Sequence, residues 1–227
     1  MSLQYTGQTF RGAAVGTNGQ WPWPRGGAYR SGMKRVLEVA FVMLTSIITL
    51  PLILILAGLV ALDGHAPIYW QRRVGKGGRV YNMMKIRTMV PNAHEQLAAY
   101  LDANPAACAE WNATQKLKHD PRITPMGRFL RKSSLDELTQ LWNVLIGDMS
   151  LVGPRPMLVE QQELYSGTAY YALRPGITGL WQVSERNEAV FAVRVFHDTE
   201  YYHHLSLLND IKIIGRTFGV VLRGTGY

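Results

Sequence analysis

Residues 39–62 read V-A-F-V-M-L-T-S-I-I-T-L-P-L-I-L-I-L-A-G-L-V-A-L, a run without a single charge. As one helix at 1.5 Å per residue the run would reach roughly 36 Å, enough to cross a bilayer and longer than the buried helix of a soluble domain requires. Two features argue against a plain crossing. Pro51 lies mid-run, removes a backbone donor and leaves the Ile47 carbonyl without its helical partner. In hydrocarbon such a carbonyl needs a local donor, and Thr45, Ser46 and Thr49 are the hydroxyls nearby. Both flanks are also basic, with Arg25, Arg30, Lys34 and Arg35 before the run and Arg72, Arg73, Lys76 and Arg79 after it. A single span would export one of these clusters, against the positive-inside tendency. A helix that enters, bends at Pro51 and returns keeps both clusters in the cytoplasm; a kinked single span is the alternative.

Composition agrees with a membrane element joined to one domain. The 227 residues are 47% apolar and 18% charged, more apolar and less charged than a typical soluble chain. A net charge of +8 calls for an anionic partner without choosing between nucleic acid, lipid head groups and phosphorylated metabolites. The long uncharged run is hard to reconcile with a nucleic-acid binder. Cys108 is the one cysteine, so neither an intramolecular disulfide nor a thiolate metal cage can form. Residues 1–30 carry no acid and lack the apolar core of a signal peptide. They read as a flexible basic tail in which Trp21-Pro22-Trp23-Pro24 is a candidate interfacial anchor.

Downstream of the run, apolar residues alternate around a Gly-Lys-Gly-Gly turn, which predicts a β-hairpin of Ile68–Trp70 against Val80–Met84. Lys85 and Arg87 stand two apart, on one face of an extended segment, as a solvated edge or a phosphate grip. Residues 93–118 read as two short helices broken at Pro105, and 157–172 as a further helix. Arg174-Pro-Gly-Ile-Thr-Gly179 makes a tight turn. Between Arg194 and Leu222 apolar residues recur at helical spacing, a stripe for packing or for the membrane interface. His197, His203 and His204 with Glu200 lack the spacing of a metal motif.

The chemistry concentrates in residues 127–156, G-R-F-L-R-K-S-S-L-D-E-L-T-Q-L-W-N-V-L-I-G-D-M-S-L-V-G-P-R-P. Asp136 and Glu137 fall at the predicted start of an amphipathic helix. Ser134 reads as its N-cap, Glu137 as the partner in a capping box, and Leu135, Leu138, Leu141, Trp142 and Leu145 as its buried stripe. Asp136 is not used by the box. In a first helical turn the backbone N–H groups keep it ionised. With Mg²⁺, which takes one or two protein carboxylates and completes its shell with phosphate oxygens and water, it could face a diphosphate. An ionised aspartate is also a nucleophile towards phosphorus. Arg131, Arg155 and Arg174 are fork-shaped donors suited to phosphate oxygens. These residues point to phosphoryl-type chemistry at a membrane surface.

From Met33 to Tyr227 the chain resembles the bacterial sugar transferases, the monotopic polyprenyl-phosphate phosphoglycosyl transferases, in their short exopolysaccharide-synthesis type. The resemblance rests on K-R-V-L-E, W-Q-R-R-V-G, M-K-I-R-T-M, the stretch from D-P-R-I-T-P-M-G-R-F-L-R to V-G-P-R-P, and R-P-G-I-T-G-L-W-Q-V. It implies that Asp136 attacks the β-phosphate of a UDP-sugar with Mg²⁺ bound, that UMP leaves, and that undecaprenyl phosphate takes up the phosphosugar. Glu137 is implied to assist with the metal or as a base, Arg131 to hold a phosphate, and Arg155 to contact the nucleotide. Pro51 matches the bend of a re-entrant membrane helix. Glu38 stands where the family usually has aspartate, and Leu50 where it commonly has a serine directly before the bending proline.

The expected organisation is therefore mainly α with a small β-hairpin. A flexible tail, residues 1–32, precedes a re-entrant membrane hairpin, 33–63, and a cytoplasmic catalytic domain, 64–227, with interfacial amphipathic helices. The resemblance implies UDP-galactose or UDP-glucose as donor, undecaprenyl phosphate and bilayer lipids as partners, and the cytoplasmic face of the bacterial inner membrane as location. A homo-oligomer is compatible with it, nucleic acid is not, and an inactive scaffold of the polysaccharide machinery is the alternative function.

Overall fold

The computed structural model describes residues 27–114, 117, 119–184 and 191–222. The Trp-Pro segment proposed as an anchor lies outside them. The described residues are mainly helical, as expected, with two small sheets where one hairpin was expected.

Helix α1, Lys34–Ala61, keeps helical backbone through Pro51. Together with the wider turn Tyr29–Met33 before it, it is the one helix among the described residues long and apolar enough to cross a membrane. Four of its residues are buried, Glu38, Val42, Leu56 and Val60. Between them Leu44, Ile47 and Ile48 are about three-quarters exposed. Thr45 donates to the carbonyls of Phe41 and Val42, and Ser46 to that of Met43. Neither serves the Ile47 carbonyl, contrary to expectation. A helical hydroxyl reaches back three or four residues, and Ile47 lies ahead of both; position 50, a leucine here, is the one that points back at it.

Both ends of α1 are tied to the same body. At its start Lys34 bonds Asp210 at 2.5 Å and the Val152 carbonyl at 3.0 Å. Glu38 accepts the Leu151 N–H at 3.0 Å and the Ser150 hydroxyl, and Val42 joins a core of Tyr81, Met83, Val144 and Met149. At its end Leu56 and Val60 pack with Ile86 and Leu130. There Arg87 bonds Asp63 at 2.6 Å and the Ala66 carbonyl at 2.8 Å.

The hairpin is longer than predicted. Strand β1, Ile68–Val74, pairs antiparallel with β2, Val80–Ile86, from Ile68↔Ile86 to Val74↔Val80. Two helices follow, α2 (Ala93–Ala103) and α3 (Pro105–Thr114), parted at Pro105 as predicted. Helix α4, Pro125–Ser133, starts on Thr124, whose hydroxyl accepts the Gly127 N–H at 2.9 Å. Gly127 lies so close to β2's continuation that a Cβ there would stand 1.9 Å from the Thr88 carbonyl oxygen.

The predicted capping box does not form. Ser134 adopts φ +56°, and its N–H closes α4 on the carbonyls of Leu130 and Arg131. Leu135–Glu137 is then a single 3-10 turn, and α5 runs only over Gln140–Ile146. The buried stripe is also displaced. Thr139, Gln140, Asn143 and Val144 are buried, whereas Trp142 and Ile146 are half exposed. The polar residues turn inward because β2 offers backbone groups to Thr139 and Asn143, while Val144 packs on its Tyr81 and Met83 side chains.

A second sheet, not foreseen in the sequence, pairs β3 (Ser150–Val152) in parallel with β4 (Gly176–Thr178). Their closeness explains the glycines of G-P-R-P and R-P-G: a Cβ on Gly176 would lie 2.1 Å from the Gly153 nitrogen. Residues 157–172 form no single helix, but a 3-10 stretch, Val159–Leu164, and the short α6, Ala169–Ala172. Between them Gly167 packs under Val195, where a Cβ would meet the side chain at 2.6 Å. After α7 (Leu180–Ser184), the C-terminal stripe is two helices, α8 (Phe191–His203) and α9 (Leu207–Leu222), rather than one. Val152, Ala169, Leu173, Tyr201, Tyr202 and Ile213 form the core beneath them.

Candidate active site

The left-handed Ser134 turns the chain sharply out of α4, so that the next residues cross the end of β2. Asp136 is thereby buried, 7% exposed, and Glu137 beside it is partly exposed. Lys85, next to last in β2, places its ammonium 2.8 Å from Glu137 Oε1 and 3.9 Å from Asp136 Oδ2. Burial pushes the Asp136 carboxyl up to about 6; Lys85 pulls it down, Glu137 pushes it up and Arg131 pulls it down. Position in a helical turn does not settle its ionisation, as the sequence reading held; burial is the larger influence.

Arg131, from the last turn of α4, bonds the Thr88 hydroxyl through Nε at 2.9 Å. Burial lowers its pKa, and Asp136 and Asp120 raise it. Thr88 escaped the sequence reading, although it follows Arg87 directly. Lys85 and Arg87, read together as one basic face, part company. Lys85 joins the carboxylates, while Arg87 ties the end of α1 to the loop at Asp63–Ala66.

Arg155 lies at the other end of the hairpin. Val74 bridges Met157, and Arg73 donates to the Pro156 carbonyl at 3.2 Å, which holds the Gly-Pro-Arg-Pro loop against β1. Arg194 of α8 donates to the Arg155 carbonyl. The Arg155 guanidinium stands 5.7 Å from the Trp181 ring centre. Arg73 is held down to about 10, first by burial and then by Arg155. Arg73 faces Tyr81 across the hairpin, four residues before Lys85, so roughly 13 Å of strand separates the Arg155 loop from the carboxylates. Arg174 is elsewhere again, donating to the Gly147 carbonyl at 2.9 Å just past α5. Arg35 serves the carbonyls of Val144 and Leu145 in the same helix end.

The structure thus gathers Asp136, Glu137, Lys85 and Arg131 in one place. It sets the Arg155 loop four residues of strand away, and uses Arg87 on Asp63 and backbone carbonyls and Arg174 on a backbone carbonyl. Among the described residues no group of three or more His, Cys, Asp or Glu could hold a metal ion. Two adjacent carboxylates, one buried and one open, nonetheless suit an ion such as Mg²⁺ that draws the rest of its shell from phosphate and water. Asn143 and Thr139, which join this turn to β2, were missed. Their signal was there: polar residues four apart on a helix whose apolar stripe is incomplete.

A sequence model of the family described as bacterial sugar transferase matches residues 29–224. Over 196 residues, 86% of this chain, it is 47% identical to the UDP-galactose-lipid carrier transferase of Erwinia amylovora and covers 41% of that protein. Identity and coverage are the same with the undecaprenyl-phosphate galactose phosphotransferase of Salmonella typhimurium. The chain thus spans about two-fifths of those relatives' length. It is 44% identical over 196 residues to the exopolysaccharide production protein ExoY of Sinorhizobium fredii, covering 87% of it.

Proposed function

The chain belongs to the bacterial sugar transferase family, and from that premise we propose that it transfers a hexose 1-phosphate from a UDP-sugar to undecaprenyl phosphate. UDP-galactose or UDP-glucose is the donor, and the reaction is the first membrane step of exopolysaccharide repeat-unit assembly. The observation that carries this reading is the burial of Asp136 between Lys85 and Arg131, at the end of a strand that leads back to Arg155.

In the first step an Asp136 carboxylate oxygen attacks the β-phosphorus of the donor. The new acyl–O–P bond replaces the bond to the bridging oxygen, which departs with the electron pair as part of UMP. In the second step a phosphate oxygen of undecaprenyl phosphate attacks the same phosphorus. The acyl–O–P bond breaks, the aspartate carboxylate is restored, and the product is a lipid diphosphate sugar. Lys85 and Arg131 offset the negative charge of the phosphoryl group. Arg155 against Trp181 receives the nucleotide end, and about 13 Å of strand matches the reach of an extended nucleotide diphosphate. Asp136 and Glu137 would hold Mg²⁺, whose chemistry here is neutralisation of the diphosphate.

The same reading places α1 as a re-entrant hairpin in the cytoplasmic leaflet of the inner membrane. Both ends of α1 rest on β2, through Met83 and through Ile86, and its exposed middle is apolar. Trp142 and Ile146 of α5 are likewise apolar and half exposed.

UMP release by lipid-reconstituted protein, with Mg²⁺, undecaprenyl phosphate and a panel of UDP-sugars, tests the proposal. Release should depend on one sugar and fall about 10³-fold or more in Asp136→Ala, as loss of a nucleophile does. Intact mass should show a phosphosugar adduct when the acceptor is withheld. Near-normal release by Asp136→Ala would remove Asp136 from the chemistry. Absence of release with every donor would leave the scaffold.

A further inference from the structure

We propose that Asn143 is a positioning residue for the carboxylate pair, its side-chain amide fixing β2 so that Lys85 stands against Asp136 and Glu137. The inference rests on the function proposed above.

Strand β2 has β1 along one edge only, so the backbone groups of Asn82 and Met84 on its other edge need partners from elsewhere. Asn143 supplies two of them. Its Nδ2 donates to the Asn82 carbonyl at 2.8 Å, and its Oδ1 accepts the Met84 N–H at 3.0 Å. A carboxamide carries the same donor and acceptor as a peptide group, and here it takes the place of a third strand. A shift by one group along this edge would set donor against donor, and a shift by two residues would set the amide on the Met84 carbonyl, which already accepts the Thr139 hydroxyl. Asn143 is fully buried, so no water competes for these bonds.

This register reaches the site in two directions. Lys85 directly follows Met84, so the backbone that carries its ammonium is fixed one residue from the clamp. Asp136 and Glu137 lie in the turn that runs into α5, on the same rigid segment as Asn143. The 2.8 Å and 3.9 Å separations of Lys85 from the two carboxylates are therefore set by how α5 sits on β2. Asn143 makes two of the three side-chain hydrogen bonds that hold that seating, the third running from the Thr139 hydroxyl to the Met84 carbonyl at 2.9 Å. The far end of α5 is held independently by Arg35 and Arg174. Loss of the clamp alters the fit at the site without releasing the helix.

The test compares Asn143→Asp with wild type, alone and in a Lys85→Met background. The aspartate keeps the size and the acceptor for Met84, but turns an oxygen on the Asn82 carbonyl. Thermal melting confirms the folded state of each variant. Kinetically, Asn143→Asp should lower kcat about 10- to 100-fold with the donor KM little changed, and in Lys85→Met the further loss should be within about 3-fold. A residue that merely supports the fold would give the same fold-loss in both backgrounds, and that outcome would overturn the proposal. Hydrogen exchange gives a readout that needs no activity: the Met84 amide should exchange faster in Asn143→Ala than in wild type. If wild type releases no UMP from any donor, the proposed function falls. The clamp is then judged on that amide alone, and an unchanged rate refutes it.

Discussion

If α1 dips into the membrane and returns, residues at its two ends face the same compartment. Val42 and Leu56 are fourteen residues apart, about 21 Å along a straight helix. Their partners in β2, Met83 and Ile86, are only about 10 Å apart along the strand. A bilayer core of about 30 Å could not separate the ends without detaching one of them. Detaching the C-terminal end would uncover Ile86 and Leu130, which stay with the rest of the chain in water, on the order of 3–6 kcal/mol of lost burial, besides the ties from Arg87. The assay replaces Cys108, the single native cysteine, with serine, and introduces Ser31→Cys or Ala66→Cys at exposed positions on either side of α1. A membrane-impermeant maleimide should leave both unlabelled in intact cells and label both in inside-out vesicles. Labelling of Ala66→Cys from outside, with Ser31→Cys protected, would refute the argument and establish a single span.

Other expectations follow from individual contacts. Arg35→Ala removes a cation from the C-terminal carbonyls of α5, and should cost about 1–2 kcal/mol in denaturant unfolding with the donor KM unchanged. Glu38→Gln weakens the charge-assisted bonds to Ser150 and Leu151 and the pairing with Lys34, for about 1–3 kcal/mol by the same measurement. Glu38→Asp, one methylene shorter, should lose less. Burial raises Asp198 to about 6 despite Arg194, so the folded protein binds the extra proton between pH 4 and 6. Its contribution to stability is then present at low pH and lost as pH rises through 6. The melting temperature of wild type relative to Asp198→Asn should fall over that window and level off above pH 7.

The sequence showed most clearly what depends on residue type and least what depends on long-range pairing. The break at Pro105 and the Gly-Lys-Gly-Gly hairpin are local, and each formed where its residues placed it; the uncharged run is helical, and its backbone stays helical through Pro51. Asp136 and Glu137 stood out in the sequence as a candidate reactive pair because acids among so many bases are unusual. Their setting was not. Ser134 followed by Glu137 three residues on satisfies a capping box, and no local feature says that Ser134 will adopt positive φ to close α4 instead. The β3–β4 sheet was invisible for another reason. Each strand is three residues long, and what joins them is the near-contact of Gly153 with Gly176, which their spacing in sequence does not encode. Arg87 and Arg174 carry the right chemistry for phosphate, yet the fold ties Arg87 to Asp63 and the Ala66 carbonyl and Arg174 to the Gly147 carbonyl.

The surroundings of Asp136 act on it in opposite directions, and the balance suits a nucleophile. Full exposure would leave the carboxylate ionised but strongly hydrated and weakly basic, while burial alone would keep it protonated and unreactive. Burial between Lys85 and Arg131 leaves it near 6, so that it is mostly ionised at neutral pH and yet poorly hydrated. On the proposed mechanism the cations serve twice, since the charges that hold the proton off Asp136 would also meet the arriving phosphate oxygens. That double use predicts how Lys85→Met should behave. Asp136 should be protonated over a wider pH range, so part of the lost kcat should return as pH rises from 6 to 8. The remainder, which reflects phosphate stabilisation, should persist at every pH. Complete recovery at high pH would show that Lys85 governs ionisation alone; an unchanged loss across the range would show that it acts only on the substrate.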